Sequence, residues 1–187
     1  LAYACLHLIR HLFRGHLRAY QIYEVARFLE RHADDDQFWT EWRRMHEPSM
    51  RRLEAICFEW ARDWFDCRLA SVASEEVDAL PVRLRRWIEE YSSAPLDRLW
   101  HPNKDELWLH LSLLRSSSDK AAVLLRRLAP VRLSGPVEAV HVPDEHKTWR
   151  RRAEARLRYG AFLCGRVLWH IRALPPLIVG GLRWWRS

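Results

Sequence analysis

The 187-residue chain has six glycines, three lysines and two methionines, and no uninterrupted apolar run of the ~18 residues that cross a bilayer. A membrane-spanning helix is therefore not expected. The glycines form no phosphate-cradling loop: there is no Walker loop, no dinucleotide fingerprint and no Gly-x-Ser-x-Gly nucleophile turn, so no active site is visible. Cys5, Cys57, Cys67 and Cys164 show no C-x-x-C spacing, which removes zinc ribbons and dithiol redox motifs. All four lie among apolar neighbours at helical spacing and are expected to be buried free thiols. Without a disulfide framework, the expected compartment is the cytoplasm. The chain opens Leu1-Ala2-Tyr3-Ala4-Cys5, with no Met and no basic stretch ahead of a hydrophobic one. That excludes a signal peptide and is expected of a cut into a longer protein.

Two residue types are abundant. There are eleven tryptophans, and apart from Lys104, Lys120 and Lys147 every basic side chain is arginine. Hydrophobic residues make up 49% and charged residues 29%, a globular composition. The net charge of +7 is uneven: residues 1–66 sum to −1, residues 67–129 to +1 and residues 130–187 to +7. The whole excess lies in the last third, which bears on partners rather than on fold.

Apolar residues recur at the helical period almost throughout, so the fold class is all-α: a multi-helix bundle with a long basic C-terminal helix. Residues 1–129 read as a helical bundle, 130–147 as an extended Pro-containing loop with β-prone pieces, and 148–187 as a basic amphipathic helix and Trp-rich tail. Helices are expected from Leu1 to Phe13, ended by Gly15, and from Arg18 to His32. A third follows the Asp34-Asp35-Asp36 run with Phe38, Trp42 and Met45 inward, and a fourth starts at Pro48. Shorter helices are expected over Ser74–Leu80 and Val82–Tyr91. Asn103-Lys104-Asp105-Glu106 has capping-box form, and Ser118 is the expected cap of the helix ending near Leu128. The last helix should run from Thr148 until Pro175-Pro176 stops it.

Three constellations carry candidate chemistry. His7, Arg10 and His11 share one face of the first helix. A metal site needs three or four donors and no third has a suitable spacing, so no metal is expected there. The alternative is a His/Arg face hydrogen-bonded to carboxylates such as Glu24. Asp34 to Asp36 contains an Asp-x-Asp spacing, but it lies between helices with no strand or glycine turn, where capping is the expected role. In the C-terminal helix, Arg150, Arg151 and Arg156 flank an apolar stripe of Trp149, Ala153, Leu157, Ala161, Cys164, Leu168 and Ile171. With the tail Arg183-Trp184-Trp185-Arg186 this suits an anionic membrane surface or a partner protein, and less well nucleic acid. Ahead of both stands the plainer expectation of a stripe packed on the bundle with solvated arginines, because amphipathicity alone does not separate the three.

The segment Cys5-Leu6-His7-Leu8-Ile9-Arg10-His11 resembles the Leu-Cys-x-His-x-x-Lys/Arg-His segment of the bacterial nucleotidyltransferase family of the polymerase-β-like superfamily. Leu17 to Ala26 resembles that family's next helix, with Glu24 where the family usually has Asp. Pro102 to Leu111, Ser134-Gly135-Pro136-Val137 and Leu182-Arg183-Trp184-Trp185 are similar to a subset of its members. The resemblance implies a catalytic α/β domain N-terminal to these helices, with a Gly-Ser or Gly-Gly turn and an Asp-x-Asp pair holding Mg²⁺ and a nucleoside triphosphate. This chain would then be the C-terminal helical portion, with no catalytic residue of its own. It also implies transfer of a nucleoside monophosphate to an acceptor, often in surface-polysaccharide gene settings. His7, Arg10, His11 and Glu24 would face the catalytic domain, with Arg10 in reach of a phosphate. The expected location is the cytoplasm, with peripheral attachment at the inner membrane face.

Overall fold

The computed structural model describes residues 1–97, 100–101, 103–128 and 149–186. Among them are ten helices and no strand: α1 Ala2–Arg14, α2 Ala19–Arg31, α3 Asp36–Met45, α4 Pro48–Phe65, α5 Ser71–Asp78, α6 Val82–Tyr91, α7 Ala94–Asp97, α8 Glu106–Leu113, α9 Ser117–Leu128 and α10 Trp149–Arg186. The all-α expectation holds. The expected loop over 130–147, with Ser134 to Val137, lies outside the described residues.

Local chemistry sets most helix ends. Gly15 closes α1 at φ 68°, where its N–H and that of His16 reach the Leu12 and His11 carbonyls at 2.8 and 2.9 Å. Asp35 caps α3, its Oδ1 accepting from Phe38 N–H at 3.0 Å; that bond is the main reason its carboxyl is held below the usual range. Pro48 opens α4.

α4 is the central element, touching α1, α2, α5 and α6. Its sequence explains this: Ala55, Ile56, Cys57, Phe58, Trp60 and Ala61 are all fully buried, so apolar surface runs around most of the helix. Cys5, Leu8, Ile9 and Leu12 of α1 and Ile22, Val25, Ala26 and Leu29 of α2 complete that side. Trp39, Trp42, Trp60 and Trp87 are the largest fully buried side chains. Their indole N–H groups are satisfied, as burial requires: Trp39 donates to the His32 carbonyl at 2.7 Å, Trp60 to that of Ser92 at 3.2 Å and Trp87 to that of Asp105 at 2.8 Å.

Four local expectations need correction. The inward face of α3 is Trp39 and Trp42, while Met45 is 64% exposed; the Trp39 indole donates to the His32 backbone carbonyl, which suits an inward Trp39. The fifth helix begins at Ser71 rather than Ser74. The capping box does not form. Asn103 donates to the Ala94 carbonyl at 2.9 Å, and buried Glu106 pairs with Arg127 Nη1 at 3.2 Å. Arg127 also donates to the Phe13 carbonyl, so these polar groups join α1, α8 and α9 instead of capping α8. Ser116, not Ser118, caps α9, its Oγ accepting from Asp119 N–H at 3.5 Å.

The largest difference is at Pro175-Pro176, which lie inside α10 rather than ending it. Two prolines remove two helical N–H donors and crowd the preceding turn, at about 3 kcal/mol or more each. What offsets that is packing beyond them. Ala173, Leu177, Gly180 and Trp184 are buried on one stripe, and Trp184 meets Tyr91 with ring centroids 6.3 Å apart. Gly180 and Gly181 allow the approach: a Cβ on Gly181 would sit 2.6 Å from the Trp108 ring, where no side chain fits without displacing the indole or the helix. Because the helix is continuous, it holds one stretch long and apolar enough to cross a membrane by length and composition. The exclusion of a spanning helix is corrected to that extent. A search for uninterrupted apolar runs stops at Arg166 and Arg172, whereas a mean over the helix tolerates both.

Candidate functional site

The polar face of α1 is built as its spacing requires. His7 and His11 lie side by side with ring centroids 4.3 Å apart, and Tyr3 stacks on His7 at 5.7 Å. The His11 imidazole is held below its usual pKa, first by burial and then by His7, His16 and Arg10. Arg10 is exposed. Glu24 is also exposed, on α2, and makes no hydrogen bond or ion pair among the described residues. The expected His–carboxylate contact between the first two helices is thus absent among the described residues; His7 and His11 are half-buried on α1, while Arg10 and Glu24 stay exposed. Asp34 is occupied by Arg68, whose Nη2 lies 3.2 Å from Asp34 Oδ2 and whose Nε lies 3.0 Å from Glu30 Oε1. Among the described residues no three His, Cys, Asp or Glu side chains gather as metal donors.

A buried polar cluster was not anticipated. Glu54 of α4 is fully buried; its Oε1 accepts from Trp42 Nε1 at 3.1 Å and its Oε2 lies 2.7 Å from His46 Nδ1. Burial raises its pKa, and the Trp42 and His46 contacts pull it back. Nearby, Cys57 Sγ donates to the Cys5 carbonyl at 3.6 Å, and burial with the Cys57 thiol alongside pushes the Cys5 thiol well up. The available signal was positional: Glu54 precedes Cys57, Phe58 and Ala61 by three, four and seven residues and so shares their face. Cys5, Cys57 and Cys67 are buried as expected, but Cys164 is exposed on α10.

On α10, no described side chain from Trp149 to Arg172 is buried, a length of about 36 Å at the helical rise. Arg150, Arg151 and Arg156 are exposed, and Arg150 lies over the Trp149 ring at 5.5 Å. The apolar stripe read from the sequence stays in the open, with Trp149 and Leu157 each 74% exposed. At the other end Arg183 is exposed, but Trp184 is buried against the bundle and belongs to the docking seam rather than to an outer surface. The side chain of Trp185 lies outside the described set.

No family model, curated protein or solved structure matches the chain. Its all-helical fold and its exposed faces are what any functional reading has to rest on.

The seam itself carries a charge. Asp105 precedes α8 with its carboxylate beside Trp108 and Gly180. Burial, then the charges of Glu106 and Asp97, raise it to about 6, against a pull downwards from the Trp108 N–H. A carboxyl whose folded pKa exceeds its unfolded value of 3.8 stabilises the fold below that value. The contribution is lost as pH rises through about 6. Asp105→Asn, which keeps the shape and cannot ionise, is expected to gain about 1–2 kcal/mol at pH 7 after allowance for partial exposure. Urea unfolding checks this. The gain should vanish at about pH 4, and an equal gain at both pH values would rule out ionisation as its source.

Proposed function

We propose that this chain is the helical, non-catalytic portion of a nucleotidyltransferase that passes a nucleoside monophosphate from a nucleoside triphosphate to an acceptor. The observation that supports the reading is that, among the described residues, His7, Arg10, His11 and Glu24 make no hydrogen bond or ion pair between α1 and α2, and Arg10 and Glu24 are exposed. A catalytic domain supplying Mg²⁺ and the triphosphate is the partner proposed for that face, with Arg10 offering a guanidinium to a phosphate. Expressed with the reading frame upstream of Leu1, the protein is expected to label an acceptor from an α-labelled triphosphate. Arg10→Ala should lower the rate by about a hundredfold with Tm unchanged. An upstream frame that encodes no Asp-x-Asp strand ends this reading.

The exposed length of α10 favours a second role, attachment to an anionic membrane surface at the inner membrane face. Exposed Trp149, Leu157, Leu168 and Ile171 alternate with arginines along a helix that the bundle does not cover. The chain should pellet with anionic but not neutral vesicles. Neutralising Arg150, Arg151 and Arg156 to Gln should cut binding by about a hundredfold, at about 1 kcal/mol per cation. A chain that stays in the supernatant excludes the role, and salt-sensitive binding to random nucleic acid in its place would shift the assignment there.

A further inference from the structure

An open groove of about 1220 Å³ runs between α4, α6, α8, α9 and α10. Its apolar lining comes from Leu53, Leu84, Leu111 and Leu124, with the edges of Trp108 and Trp184. Among the described residues its charged lining is Arg52, Arg83, Arg115 and Lys120, with no carboxylate. Among the described residues none of these four cations has an ion-pair or hydrogen-bond partner for its side chain. The neighbouring bundle behaves differently: Arg43, Arg51, Arg68 and Arg86 each meet a carboxylate within 3.2 Å. Collecting four cations with no partner among the described residues beside an apolar trough is unfavourable by itself, because like charges repel and Leu53, Leu111 and Leu124 stay only half-buried. A ligand that removes both costs carries an anion at one end and an alkyl chain at the other. A small hydrophilic anion would leave the leucines wet. An uncharged chain would leave the cations unneutralised.

We propose that this groove binds a single-chain anionic amphiphile, with its phosphate or carboxylate head on the rim cations and its alkyl chain along the leucine and tryptophan floor. The trough exceeds the range of about 300–1,000 Å³ common for small-ligand sites, which leaves room for an extended chain. The site is separate from the α1 face and from the outer side of α10, so it stands whether or not the transfer or membrane readings hold.

Calorimetric titration of the 187-residue chain with dodecyl phosphate, below its micelle concentration, tests this. One-to-one binding is expected. Inorganic phosphate and dodecyltrimethylammonium should each bind at least about tenfold more weakly, because each lacks one half of the recognition. R83E/R115E should weaken dodecyl phosphate by about tenfold or more while circular dichroism and Tm stay unchanged. The milder R115Q/K120Q should weaken it in the same direction and serves if the double reversal unfolds. Any of three outcomes overturns the proposal: no binding, equal affinity for the cationic amphiphile or inorganic phosphate, or charge variants that fold and bind as tightly as the parent.

Discussion

Glu54→Ala is expected to remove about 3–5 kcal/mol of stability, a large part of the 5–15 kcal/mol about which domains of this kind are stable. Nothing of the Glu54 side chain is exposed, and both of its oxygens are engaged, by Trp42 Nε1 at 3.1 Å and His46 Nδ1 at 2.7 Å. Truncation would strand the buried Trp42 N–H, turn His46 towards an empty space and leave a cavity between α3 and α4. Glu54→Gln separates charge from shape, because its amide oxygen still accepts from Trp42. Since burial lifts the folded pKa of Glu54 above 4.5, the carboxyl stabilises the fold below that value, and the contribution falls as pH rises through the folded pKa. Glu54→Gln should therefore cost little and should lack that downward step with pH. Urea denaturation of the three proteins across pH 4 to 8, as an order-of-magnitude comparison, distinguishes these outcomes. A loss below about 1 kcal/mol for Glu54→Ala would mean that α3 is held by its tryptophans alone.

Trp87→Ala is expected to cost a similar amount, about 3–5 kcal/mol, and to act at a distance. Trp87 is fully buried, meets Trp60 edge-on with centroids 5.6 Å apart, and donates to the Asp105 carbonyl where α8 begins. It also lies against Tyr91 at 6.4 Å, and Tyr91 in turn meets Trp184 at 6.3 Å. This row of rings runs from the central helix α4 to the docked end of α10. Removing its middle member withdraws support from both Asp105 and Tyr91, so amide exchange around Leu177 to Trp184 should accelerate beyond what global unfolding explains. Trp87→Phe keeps a ring in the row and loses the N–H bond, for about 1–2 kcal/mol. If Ala and Phe cost the same, the hydrogen bond and not the packing is what Trp87 contributes.

Much of this architecture was legible in the sequence because the terms that specify it are local. α6 runs from Val82 to Tyr91 as its pattern and Pro81 imply. Gly15 ends α1, Asp35 caps α3 and Pro48 opens α4, each by chemistry within four residues of the helix end. The candidate residues were only partly legible. His7 and His11 come together because a helix places residues four apart on one face, whereas Glu24 had to be brought in from another helix and was not. The same limit explains Glu106, whose expected local bond gave way to Arg127, distant in sequence and close in space.

By itself the sequence determined that the chain is helical, roughly where its helices begin and end, and that its basic excess gathers in the last third, since period, caps and charge are written in neighbouring residues. Only the tertiary structure decided that Glu54 is buried, that Trp184 faces inward, that α10 continues through two prolines, and that four cations without a partner among the described residues surround one apolar groove. Each of those depends on which distant surfaces meet. A helix costing several kcal/mol at its prolines persists because Leu177, Gly180 and Trp184 find Trp108 and Tyr91, and no pattern along the chain contains that meeting.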